Sequence, residues 1–380
     1  MKQRLFDQFN RLFRRRPEVI ASSPGCLTLM GHGGGKVVAV ATQLRTWVAL
    51  ARRPDRRAFL RTLAAGGESA LSLDHLEKPA FDWTDPIAGL VWSLERQGHK
   101  VCGFELLAAV QVPEGAGLGG AAALQAATLL ALADLLGLRL TASEMARFCH
   151  QAQYGFLGRA ESLAAPMAAL LARAGHASVI DCGTGQHRAV PMQLGEHCLL
   201  AADAGFRRFA LSDEAGEVAA DCRRILETVR LARPEVGLLG ELTEEDVGRL
   251  DEPLAARCRE LLAESERAGR AELAIEDGNF PVLGQLLREA HDAVAARWQQ
   301  RSPEVAGLVR LALVTSGVLG ARLSQEERSG CLAALVEAGA VEELRSRLER
   351  FYYERHGLPP AIFAVPEAGE GTASESMLPG

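Results

Sequence analysis

Residues 112–124, VPEGAGLGGAAAL, set glycines directly ahead of a long apolar, helix-forming run. Free backbone N–H groups and the positive end of a helix dipole converge at such a place, which makes it an anion-binding candidate. The same residues suit a tight turn that lets a helix pack closely on a strand, and taken alone they leave both readings open. From Gly115 to Leu124 every residue is Gly, Ala or Leu, so no side chain there offers a hydroxyl or an ammonium to a phosphate or its metal.

Little other chemistry is written in the chain. It has no GxxxxGK[ST], no HExxH and no GxSxG. The nine histidines are dispersed, and His150, on an apolar-periodic stretch, reads as packed or surface-lying rather than as a ligand. Eight cysteines without a CxxC pair argue against a zinc site and a disulfide framework; they suit a reducing compartment, and a cytoplasmic protein is expected. The net charge of −6 gives no reason to expect nucleic acid or an anionic membrane as partner.

The elements that would position the glycine loop follow from periodicity. Residues 1–17, MKQRLFDQFNRLFRRRP, are basic with Leu5, Phe6, Phe9, Leu12 and Phe13 on one helical face, which predicts a first helix docking on the domain. Short apolar runs at 19–22, 26–30, 36–42 and 47–51 predict four strands, and 101–112 another. A helix is expected from Gly120 to Leu136, stopped by Gly137; Thr141 with Glu144 predicts a capping box opening a helix over 142–154. A third helix is expected over 160–174, then strands at 177–181 and 188–191. The second half predicts strands at 197–202, 317–323, 331–336 and 361–365 among helices over 212–231, 254–268, 280–299, 303–312 and 341–353. Strands and helices mix without regular βαβ alternation, which points to an α+β protein of two domains, 1–193 and 194–366, with 367–380 a disordered tail.

Ordered along the chain, several segments resemble one family. VPEGAGLGGAAAL is similar to the second signature of the GHMP small-molecule kinases, galactokinases in particular, which usually read P-x-G-A-G-L-S-S-S-A-x-L. SSPGCLTLMG at 22–31, GFLGRAESLAAP at 155–166, AGHASVIDC at 174–182, and the stretches 291–313 and 317–336 resemble further galactokinase segments in the same order. The resemblance implies the two-domain GHMP kinase fold: an N-terminal domain like ribosomal protein S5 domain 2 and a ferredoxin-like C-terminal domain. Fold does not carry activity with it.

Position by position, the family's chemistry is missing. Carried over by motif, the base-like Asp falls on Ala165, and the Arg beside the transferred phosphate falls on Cys26. A methyl cannot accept a proton, and a thiol cannot replace a guanidinium. The sugar-holding E-H-T-D-Y segment shrinks to HGGGK, leaving His32 as its one possible remnant, and the sugar-contacting Tyr falls on Ala215. The hydroxyls of the second motif become Gly119, Gly120 and Ala121, while Gly115 and Gly117 persist. The third motif, T-G-G-G-F-G-G, becomes SQEERSG, with Glu326 and Glu327 where a triphosphate would pass; they are solvated loop charges or replacement metal ligands.

Three functions are compatible with this pattern. The first is a catalytically inactive, pseudokinase-like galactokinase relative that binds, senses or scaffolds, with a protein or a small molecule as partner. The second is an active ATP- and Mg-dependent sugar kinase whose site is rebuilt from Lys36, Arg159, Glu161 and Arg328. The third is an interaction module whose pocket is empty or filled by its own side chains.

Overall fold

A computed structural model describes residues 1–31, 34–64, 67–76, 82–158, 163–173, 175–206, 214–236, 239–324, 330–365 and 372–377. The basic N-terminal segment forms α1 (Lys2–Phe13), and its Leu5 and Phe9 are buried, as the spacing predicts. It ends at Arg14, which adopts the left-handed conformation at φ 58°.

The first sheet grows from two long antiparallel strands, β1 (Val19–Gly31) and β2 (Lys36–Arg53). The expectation of four short strands here is corrected. The chain stays extended through Pro24–Gly25 and Gln43–Leu44, and the register slips between Pro24 and Cys26 instead of turning. A bulge absorbs Pro and Gly inside a strand where a turn would have ended it. β3 (Arg57–Thr62), β4 (Glu68–Ser72) and β5 (Gly103–Val110) extend the sheet, with α2 (Asp85–Arg96) between β4 and β5. α3 (Gly120–Leu136), α4 (Ala142–Gln151), a π-helical turn at Ala152–Phe156 and α5 (Ala164–Leu171) follow. β6 (His176–Asp181) and β7 (Gln186–Pro191) pair off the first part of β2.

The second sheet starts at β8 (His197–Asp203). α6 (Glu214–Arg230), a 3-10 turn at Leu239–Glu241, α7 (Glu244–Val247), α8 (Leu254–Glu276), α9 (Phe280–Arg301) and α10 (Pro303–Leu313) precede β9 (Val318–Ser324) and β10 (Cys331–Glu337). α11 (Val341–Leu348), a π-helical turn at Glu349–Tyr353, α12 (Glu354–His356) and β11 (Ile362–Val365) complete it, in the antiparallel order β11-β8-β10-β9.

The chain then returns to the first sheet. β12 (Ala373–Ser376) pairs antiparallel with β1, giving the order β12-β1-β2-β5-β3-β4. This corrects the expectation of a disordered tail over 367–380. The open edge of β1 presents backbone donors and acceptors that even a small, polar segment can pair, and Met377 N donates to Glu18 O at 2.7 Å beyond the strand. Residues 366–371 and 378–380 lie outside the described set.

Both faces of the first sheet are covered. α2, α3, α4 and α5 bury an apolar cluster that includes Val48, Leu50, Phe104 and Leu129. α1 covers Ile20, Ala49 and Leu107 on the opposite face. The second sheet packs α10 and α11 on one side. On the other side a shared core joins Leu199, Ala201 and Ala333 to Leu27, Leu29 and Val38 of the first sheet, with α8 and α9 closing it.

Candidate functional site

The glycine loop is strung between β5 and α3. Gln111 N donates to Arg45 O at 3.0 Å at its entry. Gly115, Gly117 and Gly119 take left-handed φ values of 69°, 72° and 67°, which a side chain would strain, while Ala116 and Leu118 between them are buried. Gly119 is the N-cap of α3, and Ala123 N closes the first turn on Gly119 O at 2.8 Å. Among the described residues no side chain caps that end and no carboxylate sits in the first turn, while Gly119, Gly120 and Ala121 remain half-buried. Uncapped N–H groups at an accessible helix end can receive an anion.

The tight-turn reading is met. Leu118 O accepts a hydrogen bond from Cys26 N at 2.9 Å, and a Cβ on Gly25 would lie 2.7 Å from that same carbonyl oxygen. The loop is thus pinned to β1 by backbone contact, as the tight-turn reading expects.

The structure sets Cys26 against this loop and places Ala165 on α5, which packs on α3 and β1. Cys26 lies on β1 against Gly119, is 5% exposed, and belongs to the apolar core. Burial pushes its thiol up to about 12, so it is neutral near pH 7. α5 packs on β1, with Ser23 Oγ donating to Ala169 O at 3.1 Å, and Ala165 in its first turn is half-buried against the same core. Where phosphoryl transfer needs fixed charge, these two positions present apolar surface.

Of the candidate replacements, Lys36 is described and is engaged elsewhere. Its Nζ donates to Glu272 Oε2 at 2.6 Å, and Arg188 Nε donates to the same carboxylate at 3.1 Å. Burial would raise the Glu272 carboxyl, but hydrogen bonds from Lys36 and Arg188 outweigh it and hold the group below its usual value. Ser324, first residue of the altered third motif, is buried and its Oγ accepts from Thr28 N at 3.0 Å. His32, Arg159, Glu161, Glu326, Glu327 and Arg328 lie outside the described residues, as does the side chain of Ala215 in α6. Beside Gly34 and Gly35, where the sugar-holding segment is shortened, a cavity of about 20 Å³ is lined by Leu239, Leu261 and Ser265. That is room for about one water, far short of a hexose.

Two features were not anticipated. Arg322, inside β9 and 5% exposed, donates to Glu264 Oε1 on α8 at 2.5 Å; Glu264 Oε1 also accepts from Gly31 N at 3.0 Å, and Arg267 Nε donates to Glu264 Oε2 at 2.9 Å. This network ties the end of β1 to the second sheet. An arginine in an otherwise apolar strand, GVLGARLS, was the available signal. The second feature is a buried amide pair: Gln153 Nε2 donates to Gln125 Oε1 at 2.9 Å, and Gln125 Nε2 donates to Pro86 O at 3.3 Å.

Fit to a magnesium nucleotide divides between backbone and side chains. The loop backbone suits a phosphate. Yet among the described residues no three His, Cys, Asp or Glu side chains cluster to hold a metal, and the loop offers no hydroxyl. Magnesium on a nucleotide takes one or two carboxylates plus substrate phosphates, and the candidates for that role, Glu161, Glu326 and Glu327, lie outside the described residues.

Comparison with known proteins agrees with the architecture. The family described as GHMP kinases N terminal domain matches residues 86–173. The chain is 30% identical to a galactokinase of Roseiflexus sp. (strain RS-1) over 377 residues, covering 97% of this chain and 95% of that one. A galactokinase of Chloroflexus aggregans (strain MD-66 / DSM 9485) is 29% identical over 365 residues, 93% of each chain. Among solved structures, Lactococcus lactis galactokinase complexed with galactose superposes with a TM-score of 0.88 at 25% identity, over 98% of this chain and 99% of that one. Methanococcus jannaschii mevalonate kinase, at 15% identity and a TM-score of 0.63 over 94% and 98% of the two chains, shares the fold. A glycine loop on β1, a two-sheet α+β architecture and full-length similarity converge: this chain belongs to the galactokinase family of the GHMP kinases.

Proposed function

We propose that this galactokinase-family chain does not transfer phosphate and acts by binding, as a sensor or scaffold for a small molecule or a protein. The observation that carries the reading is the state of Cys26 and Ala165. Both positions at which the family resemblance places catalytic charge belong to, or pack on, one apolar core. Catalysis of phosphoryl transfer rests almost entirely on positioning and electrostatic stabilisation, so neutral groups there remove the means. Lys36, the replacement cation, is already held by Glu272. The glycine loop retains backbone donors, and an anionic ligand without turnover fits it. Eight free cysteines accord with a cytoplasmic location. No helix of the described residues is long and apolar enough to cross a membrane.

The competing reading, an active ATP-dependent sugar kinase, is favoured by one observation: relatives matched over nearly their whole length are named galactokinases. Titration of the purified chain with Mg·ATP, ADP and a monosaccharide panel separates the readings when melting and ADP release are followed together. A ligand at one hundred times its Kd adds about 2.7 kcal/mol of stability. The expected outcome is a shift with one of these ligands and no ADP above background. Saturable ADP release that survives further purification would overturn the proposal, and no shift with any ligand would leave the empty-pocket module in its place.

A further inference from the structure

The face of the first sheet that carries α1 also carries a concentration of arginine. Residues 1–16 hold Lys2, Arg4, Arg11, Arg14, Arg15 and Arg16 against a single carboxylate, Asp7, although the whole chain has a net charge of −6. The end of α1 brings this run beside the β2–β3 corner. Arg15 Nη1 donates to Arg52 O at 2.9 Å, and the Arg61 guanidinium lies 5.7 Å from the centre of the Phe13 ring. Arg53 and Arg57 both stand over Phe59, at 4.4 and 5.7 Å from the ring centre.

Within this surface the carboxylates already present act as bridges. Glu18 accepts from Arg15 at 2.9 Å and from Arg52 at 2.8 Å. Glu105 accepts from Arg53 at 3.2 Å and lies 3.9 Å from Arg15. Arg15 and Arg52 thus share one carboxylate, and Arg53 and Arg15 flank another. Arg14, Arg16 and Arg57 are exposed and make no ion pair among the described residues. The Arg57 guanidinium carbon lies 5.7 Å from the centre of the Phe59 ring.

We propose that Arg14, Arg16 and Arg57 form a docking surface for an acidic segment of a protein partner. Guanidinium recognises carboxylate through a planar two-pronged fork, and the patch is built of arginine rather than lysine. Glu18, Glu105, Asp55 and Glu68 interleave with the arginines, so a continuous phosphate backbone would meet repulsion that spaced carboxylates avoid. α1 lies on the side of the sheet opposite the helices α2–α5, and where the corner meets α3, through Arg52 Nη2 donating to Leu135 O at 3.0 Å, it does so at the end of α3 remote from the glycine loop, so this surface is independent of the proposed absence of turnover.

The test uses the full chain and a fluorescein-labelled decaglutamate, read by anisotropy at about 50 mM and about 200 mM salt, since screening weakens exposed charge contacts. Saturable binding is expected at the lower salt, weaker at the higher, and at least about tenfold weaker in an Arg14→Glu/Arg16→Glu/Arg57→Glu variant. Should that variant fail to fold by melting, Arg14→Gln/Arg16→Gln/Arg57→Gln replaces it, with a loss of at least about threefold expected. Binding unchanged by the substitutions, absence of binding at low salt, or tighter binding to a single-stranded DNA decamer or to phosphatidylserine-containing vesicles would overturn the proposal.

Discussion

At Cys26 the main chain and the side chain answer to different constraints. The N–H is committed to the glycine loop through Leu118 O, and the thiol faces the core of α3 and α5. Burial pushes its thiol up to about 12, so at pH 8 it is overwhelmingly protonated, and only the thiolate is nucleophilic. Peptide mapping after iodoacetamide treatment at pH 8 should find Cys26 unmodified in the folded chain and modified in urea; equal labelling in both would contradict its placement. Glu264 gives a second prediction at this scale. Burial would raise its carboxyl, but Arg322 and Arg267 outweigh that and hold it below its usual value. Its contribution is therefore full above the unfolded value near 4.5 and is lost as pH falls through the lower folded value. Glu264→Gln should cost about 3 kcal/mol at neutral pH by urea unfolding, because the buried Arg322 loses the Glu264 carboxylate. The gap between wild type and variant should narrow on acidification, and a variant as stable as wild type at pH 7 would refute the role. The assignment of Cys26 and Ala165 to catalytic positions rests on motif order alone, whereas the Glu264–Arg322 pair could not be read from the sequence, because periodicity cannot match residues 58 positions apart.

Helices with local signals were readable as elements. α3 runs from Gly120 to Leu136 and ends at a left-handed Gly137, and Thr141 with Glu144 makes both hydrogen bonds of the capping box. α1 docks through the face its spacing marked. Elements defined by partners were harder to read. β1 and β2 run past Pro24 and Gly25 because the pairing of Ser23 with Thr46 and Cys26 with Ala41 holds the chain extended across the irregularity. β3 and β4 are short, and β12 has no apolar spacing, being set by the edge it covers; α2 carries Ile87, Leu90, Val91 and Leu94 at helical spacing, a signal present in the sequence but not used. β12 is tied further by Thr372 Oγ1 donating to Leu170 O at 2.9 Å, by contacts of Lys2 with Glu375 and of Asp134 with Ser374, and by Met377 packed near Phe6 and Phe13. Removing residues 372–380 should lower stability by about 2 kcal/mol through lost backbone pairing and apolar burial, measured by chemical unfolding. A truncated chain with unchanged stability would show that the strand contributes nothing in solution.

At the scale of the molecule, the two sheets are joined by one apolar core and by the Glu264–Arg322 network at the end of β1. The family and its α+β fold were legible because several motifs fall in order along the chain and their apolar positions persist. The cofactor side was less so: backbone glycines can be read as a phosphate loop, but whether surrounding groups supply charge depends on which side chains meet in space. Where they are described, Cys26 is neutral, Ala165 is apolar and Lys36 is paired with Glu272. The most direct measurement is transfer of labelled γ-phosphate from Mg·ATP to galactose and other monosaccharides by repurified chain, with an active galactokinase run alongside. The account predicts no labelled sugar phosphate above the protein-free control. Saturable, sugar-dependent transfer that follows the chain through purification would contradict it.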